Sequence, residues 1–271
     1  MIVSGRHPSR CGWRSVLAPS LLLLAGCVRT NFNLATQQQE YTLTSTDKEV
    51  ETGRKLARRV EAELPLVADE PMQRRVRDIG QRLAAVCDRR ELIYHFAVVE
   101  DEEVNAFSLP GGWIYLNEGL VKKTANDDEL AGVIAHEVGH IAARHAVKRY
   151  ESGLGMQIVQ LASLATRQAA AAQGAGIAMQ AAQLAYARDD ELEADRLGVK
   201  YLKAAGFDPK GMLTFLETLR EVNEDTSHYL PRGFVRPHYA MTHPYVPDRI
   251  RGVKEAIYGV ADYMDYLNTP Q

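Results

Sequence analysis

Residues 134 to 145 read IAHEVGHIAARH, with His136, Glu137 and His140 in an HExxH pattern. On a helix, His136 and His140 lie one turn apart on the same face. One metal ion can therefore take a ring nitrogen from each. Glu137, next to the first histidine, is placed to reach a water on the metal rather than the metal itself. The surrounding residues predict a helix. Asn126 and Glu129 have capping-box spacing, and Leu130, Val133, Ile134, Val138 and Ile141 recur at helical period over 127–149.

Two histidines do not complete a catalytic metal site. A further ligand is sought in RDDELEADRLGVKYL, residues 188 to 202, where Glu191 and Asp195 share a helix face. Glu191 completes a two-His, one-Glu set that leaves a coordination position for water. Asp195 can accept the free ring N–H of a ligand histidine and fix its tautomer. Asp189, Asp190 and Glu193 read as a solvated acidic face. His95, His145, His228 and His238 lack ligand spacing with a partner, and His145 is read as structural.

HEVGH followed by ELEAD resembles the gluzincin zinc metallopeptidases of the HtpX and CAAX-prenyl-protease type. NAFSLPGGWIYLNEGL (105 to 120) resembles the family's strand beside the cleft, and THPYVPDR (242 to 249) its late His-Pro motif. The matches run in the family's order from about Gly53 to Ile257. The resemblance implies one Zn2+ per chain held by His136, His140 and Glu191, with Asp195 supporting the ligands and Glu137 as general base. It implies that His243 faces the metal, either stabilising the oxyanion or filling the open position at rest. Trp113, Ile114, Tyr115 and Leu116 are expected to pair with an extended peptide as an added strand. The nearby Tyr239 and Tyr245 could assist the oxyanion.

The remaining pattern predicts a mostly α chain with a small β-sheet (α+β), a zincin-like domain with an HExxH helix and a Glu-bearing helix. Helices are expected at 46–64, 69–87, 117–124, 189–205, 209–222 and 247–258. Strands are expected at 92–100, 106–109 and 113–116. The Ala-, Gln- and Gly-rich stretch 152–187 is helix-prone, and Arg167 with its many glutamines argues against a membrane span. No internal repeat is evident.

The N-terminus carries Arg6, Arg10 and Arg14, the apolar run VLAPSLLLL, and then Leu24-Ala25-Gly26-Cys27. The run is too short to span a bilayer, and the tetrad resembles a bacterial lipoprotein processing box. The expected organisation is a signal peptide over 1–26, a polar tether over 27–45 from a lipidated Cys27, a metallopeptidase domain over 46–258 and a tail over 259–271. Loss of the signal takes the net charge of −3 three units further negative. Of the three cysteines, only Cys87 then stays a free thiol, read as buried and inert. No basic footprint for nucleic acid is present.

The resemblance implies hydrolysis of unfolded or misassembled envelope proteins, and the processing box implies an outer-membrane anchor facing the periplasm. The alternative is a chaperone-like outer-membrane assembly factor that keeps the zinc-protease fold with little turnover. A non-protease zinc hydrolase is a third reading. Outer-membrane assembly machinery is a possible partner.

Overall fold

The computed structural model describes residues 29–151, 187–229 and 243–259, with side chains up to 220 in the second segment. The expected signal peptide, Cys27, the stretch 152–186, Tyr239 and His238 lie outside the described residues.

Local signals place the first helices. Helix α1 (Thr46–Glu63) opens on Ser45, one residue before the expected cap, whose side chain accepts from Lys48 N–H. Helix α2 (Glu70–Ala84) opens on Asp69, which accepts from Met72 N–H, with Pro71 in the first turn. An antiparallel hairpin, β1 (Arg29–Asn33) and β2 (Gln38–Thr42), precedes them.

A three-stranded sheet is built from β3 (His95–Val99), β4 (Ala106–Leu109) and β5 (Trp113–Asn117). Strand β5 lies in the middle, parallel to β3 and antiparallel to β4. Gly111 and Gly112 make the β4–β5 turn at φ +77° and +109°, values open chiefly to glycine. The sheet corrects one expectation. Trp113, Ile114, Tyr115 and Leu116 already have a strand on each side and are buried, so their backbone cannot receive a peptide. The physical reason is the crossover that makes β3 pair with β5 rather than β4. Among the described residues, the free edge beside the HExxH helix belongs to β4.

Short helix α3 (Glu118–Lys123) leads to α4 (Asp127–Ala142), which carries HExxH. Asn126 accepts from Glu129 N–H at 2.9 Å, and Glu129 reaches back to Ala125 N–H at 2.8 Å. From Glu129 to Ala142 every residue is buried. A helix buried on all faces is a core element, which accounts for its weak amphipathic pattern. It is enclosed by α2, the sheet, α5 (Arg188–Ala205), α6 (Lys210–Tyr229) and, beyond these, α7 (Val246–Tyr258).

Two departures from the sequence reading have clear causes. The helix expected over 127–149 stops at Ala142, because Arg144 adopts φ +60°. That left-handed residue is held by its guanidinium, 2.9 Å from Thr44 O and 3.2 Å from Glu49 Oε2. Helix resumes at 145. The stretch read as a tether is structured from residue 29. Its polar side chains are used inwardly: Asn33 Nδ2 donates to Ala142 O at 3.1 Å and to Glu40 Oε1 at 2.9 Å. Polar composition alone therefore misreads it.

Helices α4 and α5 meet through small residues. A Cβ on Gly139 would stand 2.6 Å from Ala194 O, closer than packed atoms tolerate. Gly139→Ala should therefore force the two motif helices apart. Overpacking of this kind costs about 1–3 kcal/mol. Thermal unfolding should show a Tm several degrees lower, at roughly 2–4 °C per kcal/mol for a chain of this size. Gly252→Ala, facing only the Leu192 side-chain end at 3.3 Å, should leave Tm unchanged or raised. An unchanged Tm for Gly139→Ala would contradict the close helix contact.

Candidate metal centre

Helix α4 aims His136 and His140 at α5, which aims Glu191 and Asp195 back. Each pair is four residues apart, so each occupies one face. The loop before α7 adds His243. The potential ligand atoms of His136, His140, Glu191 and His243 lie within 4.8 Å of one another, and all four residues are buried. His136 Nε2 is 3.0 Å from His140 Nε2 and 3.2 Å from His243 Nδ1. Glu191 Oε1 is 3.3 Å from His140 Nε2 and 3.1 Å from His243 Nδ1, and Oε2 is 3.4 Å from His136 Nε2. Zinc–ligand bonds of 2.0–2.1 Å in a tetrahedron imply ligand–ligand edges of about 3.3 Å. The donor set fits a zinc ion by both chemistry and spacing.

The outer contacts orient these donors. His136 Nδ1 donates to Asp195 Oδ1 at 2.7 Å, which turns Nε2 toward the cluster. Arg249, only 1% exposed, grips Asp195 with Nε to Oδ2 at 2.8 Å and Nη2 to Oδ1 at 2.7 Å. Its Nη1 lies 3.1 Å from Glu191 Oε2. The ion pair so formed is fully buried and bidentate, the geometry in which a guanidinium is most effective.

A second chain of contacts supports His140. Its Nδ1 is 2.8 Å from His145 Nδ1, and His145 Nε2 is 3.3 Å from Glu193 Oε2 and 3.4 Å from Asp190 Oδ1. One tautomer assignment satisfies all of these contacts. His140 donates from Nδ1, His145 accepts there, and the His145 Nε2–H faces the carboxylates. The helix break at Arg144 makes this contact possible. An unbroken helix would carry His145 well off the His140 face.

Charges within the cluster set its protonation. Burial and the Arg249 charge pull His136 downward, but Asp195 and Glu191 outweigh them and raise it to about 9. Burial, then the His136 charge, holds His140 well below the usual imidazole range. Burial opposes ionisation of Glu191, yet His243, Arg249 and His136 keep it well below the usual carboxylate range. Asp195 is likewise lowered against burial by Arg249 and His136.

Glu137 is fully buried, and among the described residues neither carboxylate oxygen has a hydrogen-bond partner. His243 Nε2 stands 3.3 Å from Oε1 without hydrogen-bond alignment. A buried carboxylate left in this state is costly unless a further ligand serves it. His243 Nε2 also approaches Ala106 O, the first residue of β4, at 3.4 Å. The cluster, the Glu137 carboxylate and the free edge of β4 thus converge on one ring.

The expected residues His136, Glu137, His140, Glu191, Asp195 and His243 all come together. Trp113–Leu116 stay in the sheet interior, and Tyr245 is 46% exposed at the start of α7. Cys87 is buried with Sγ 3.3 Å from Tyr94 Oη, and burial raises its thiol pKa, as an inert thiol requires. His95 is exposed and stacks on Trp113. Two residues were missed. His145 offered no ligand spacing because its spacing was counted along an unbroken helix. Arg249 closes the THPYVPDR motif, and its only sequence signal was a charged residue inside an otherwise apolar helix face.

Replacing Arg249 by a neutral residue leaves Asp195 and Glu191 buried without their cation. Arg249→Lys keeps the charge but loses the fork, and Arg249→Met loses both. Metal affinity, measured by competition with a chromophoric chelator, should fall about 10–100-fold in each, as for other residues that orient ligands. Unchanged affinity in Arg249→Met would remove Arg249 from that role.

The comparisons agree with the geometry. The profile of Peptidase family M48 matches residues 70–257. A Yersinia pestis protein named Beta-barrel assembly-enhancing protease is 30% identical over 239 residues, covering 82% of this chain and 48% of that protein. Its Escherichia coli K12 namesake is 30% identical over 217 residues, covering 76% and 43%. A Schizosaccharomyces pombe protein named Mitochondrial metalloendopeptidase OMA1 is 28% identical over 175 residues, covering 65% and 50%. The chain spans about half the length of these curated relatives. The profile match covers more than half of this chain and includes both motif helices and Arg249: the chain belongs to Peptidase family M48.

Proposed function

We propose that the chain is a zinc-dependent endopeptidase acting on unfolded or misassembled proteins of the bacterial cell envelope. The observation that carries this reading is the buried His136, His140, Glu191 set with the unserved Glu137 carboxylate beside it. The relatives named as proteases support the same chemistry.

When bound, zinc supplies a Lewis acid that acidifies a water and polarises the scissile carbonyl. His136, His140 and Glu191 hold it, with Asp195, Arg249 and His145 fixing their orientations. Glu137 takes the proton of the attacking water at its carboxylate and returns it to the leaving amine. An extended peptide pairs with the free edge of β4, whose residue Ala106 borders the site. Recognition through backbone hydrogen bonds favours unfolded segments over folded surfaces. His243 would be a further ligand at rest, since its Nδ1 sits among the donor atoms and its Nε2 faces Ala106 O. Withdrawal of its loop then frees both the cluster and the strand edge.

The sequence Leu24-Ala25-Gly26-Cys27 supports an acylated Cys27 and an outer-membrane anchor facing the periplasm. Among the described residues no helix is long and apolar enough to cross a membrane. The assembly-enhancing names of the relatives suggest contact with outer-membrane assembly machinery.

In a peptidase assay on unfolded casein, Glu137→Gln should keep fold and metal but lose about 10²–10⁴-fold in turnover, the usual worth of such a base. Near-wild-type turnover would refute the role of Glu137. Stoichiometric zinc without chelator-sensitive proteolysis in the unaltered chain would favour the chaperone-like reading. In the same assay His243→Ala should raise turnover. A loss instead would assign His243 to the oxyanion.

A further inference from the structure

The β1–β2 hairpin is amphipathic with the wrong face inward. Asn33, Glu40 and Thr42 are buried, while Phe32 is 55% and Tyr41 71% exposed. The register pairs Phe32 with Gln39 and Thr30 with Tyr41, so Phe32 and Tyr41 share the outer face. Leu43 continues that face at 54% exposure, and Leu34 tops the turn at 60%. Of the nine large apolar residues exposed among the described ones, four fall in this short segment, which sets it apart from scattered surface residues.

The inward polar face is explained by what it binds. Asn33 reaches Ala142 O, Glu40 Oε1 pairs with Lys148 Nζ at 2.9 Å, and Glu151 Oε1 accepts from Leu43 and Thr44 N–H at 3.0 and 2.8 Å. These contacts clamp the hairpin to the C-terminal end of the HExxH helix and to the helix after it. Among the described residues, no element covers the outer apolar face.

We propose that this face docks in the interfacial layer of the lipid bilayer. The inference rests on the proposed acylation of Cys27. Cys27 stands two residues before Arg29, where β1 begins. Two residues reach at most about 7 Å, so an acylated Cys27 holds the hairpin at the headgroup level. Phe, Tyr and Leu side chains suit that layer, where a ring can bury its body and keep a hydroxyl in water. The anchor makes docking intramolecular, so a small face suffices. Because the hairpin is clamped to the end of α4, docking fixes the orientation of the metal cluster over the membrane.

The test uses the full chain, acylated and reconstituted into phosphatidylethanolamine–phosphatidylglycerol vesicles. An environment-sensitive fluorophore is placed at Tyr41→Cys or, as control, at Lys210→Cys. Lys210 is exposed near the opposite end of α4, where Asp208 N–H binds Asp128 in that helix's first turn. A helix of this length separates the two positions by about 20 Å. Iodide quenching at Tyr41→Cys should be about fivefold weaker than at Lys210→Cys, as expected for an interfacially buried probe. Adding Phe32→Ser and Leu43→Ser should abolish that protection and leave peptidase activity unchanged. Equal quenching at both positions would overturn the docking face. Protection without vesicles that grows with protein concentration would give the face to a second copy and also overturn it. The mass of the N-terminal peptide reports acylation separately. If that chain proves unacylated, vesicle flotation decides: flotation lowered by Phe32→Ser/Leu43→Ser supports docking, and none, or an unaltered level, overturns it.

Discussion

Asp195 is shared between a histidine and an arginine, and the site depends on that sharing. Its two oxygens meet His136 Nδ1 and the Nε and Nη2 of Arg249, all within a region almost closed to water. A carboxylate in that position must be compensated or it is strongly destabilising. Compensation here does more than neutralise. It sets the His136 tautomer, presents Nε2 to the cluster, and ties α7 to α4 through α5. The loop that carries His243 is thereby delivered to the same point.

The rest of the fold follows from the need to bury this polar set inside an apolar body. Helix α4 is buried along most of its length, so its polar residues can be served only by neighbouring elements. Gly139 and Ala194 let α5 approach closely enough for Glu191 to meet both histidines. The Glu49 carboxylate, buried with Arg89 and Arg144, accepts from Gly111 N–H in the β4–β5 turn and steadies the helix break. One buried acid therefore links the strand beside the site to the turn that brings His145 under His140.

Much of the site was legible in the sequence because its residues follow helical spacing. His136 and His140, and Glu191 and Asp195, each repeat at one turn, and Ser45, Asp69 and Asn126 cap three of the helices. What escaped required contacts between distant segments. Arg144 has an ordinary identity, and only its pairing with Thr44 and Glu49 makes it left-handed. His145 gains its role from that turn, and Arg249 from a partner 54 residues away. The central place of β5 depends on which strand β3 chooses, a long-range pairing that local sequence pattern does not carry. The hairpin at 29–42 was misread because its polar residues, rather than its apolar ones, face the body.

The central claim is that His136, His140 and Glu191 hold one zinc ion. X-ray absorption at the zinc edge, with metal content, tests it most directly on the purified full chain. The account predicts one zinc per chain with nitrogen and oxygen ligands at about 2.0–2.1 Å and loss of the ion in Glu191→Ala. Sulfur ligation near 2.3 Å, or full occupancy in Glu191→Ala, would contradict it.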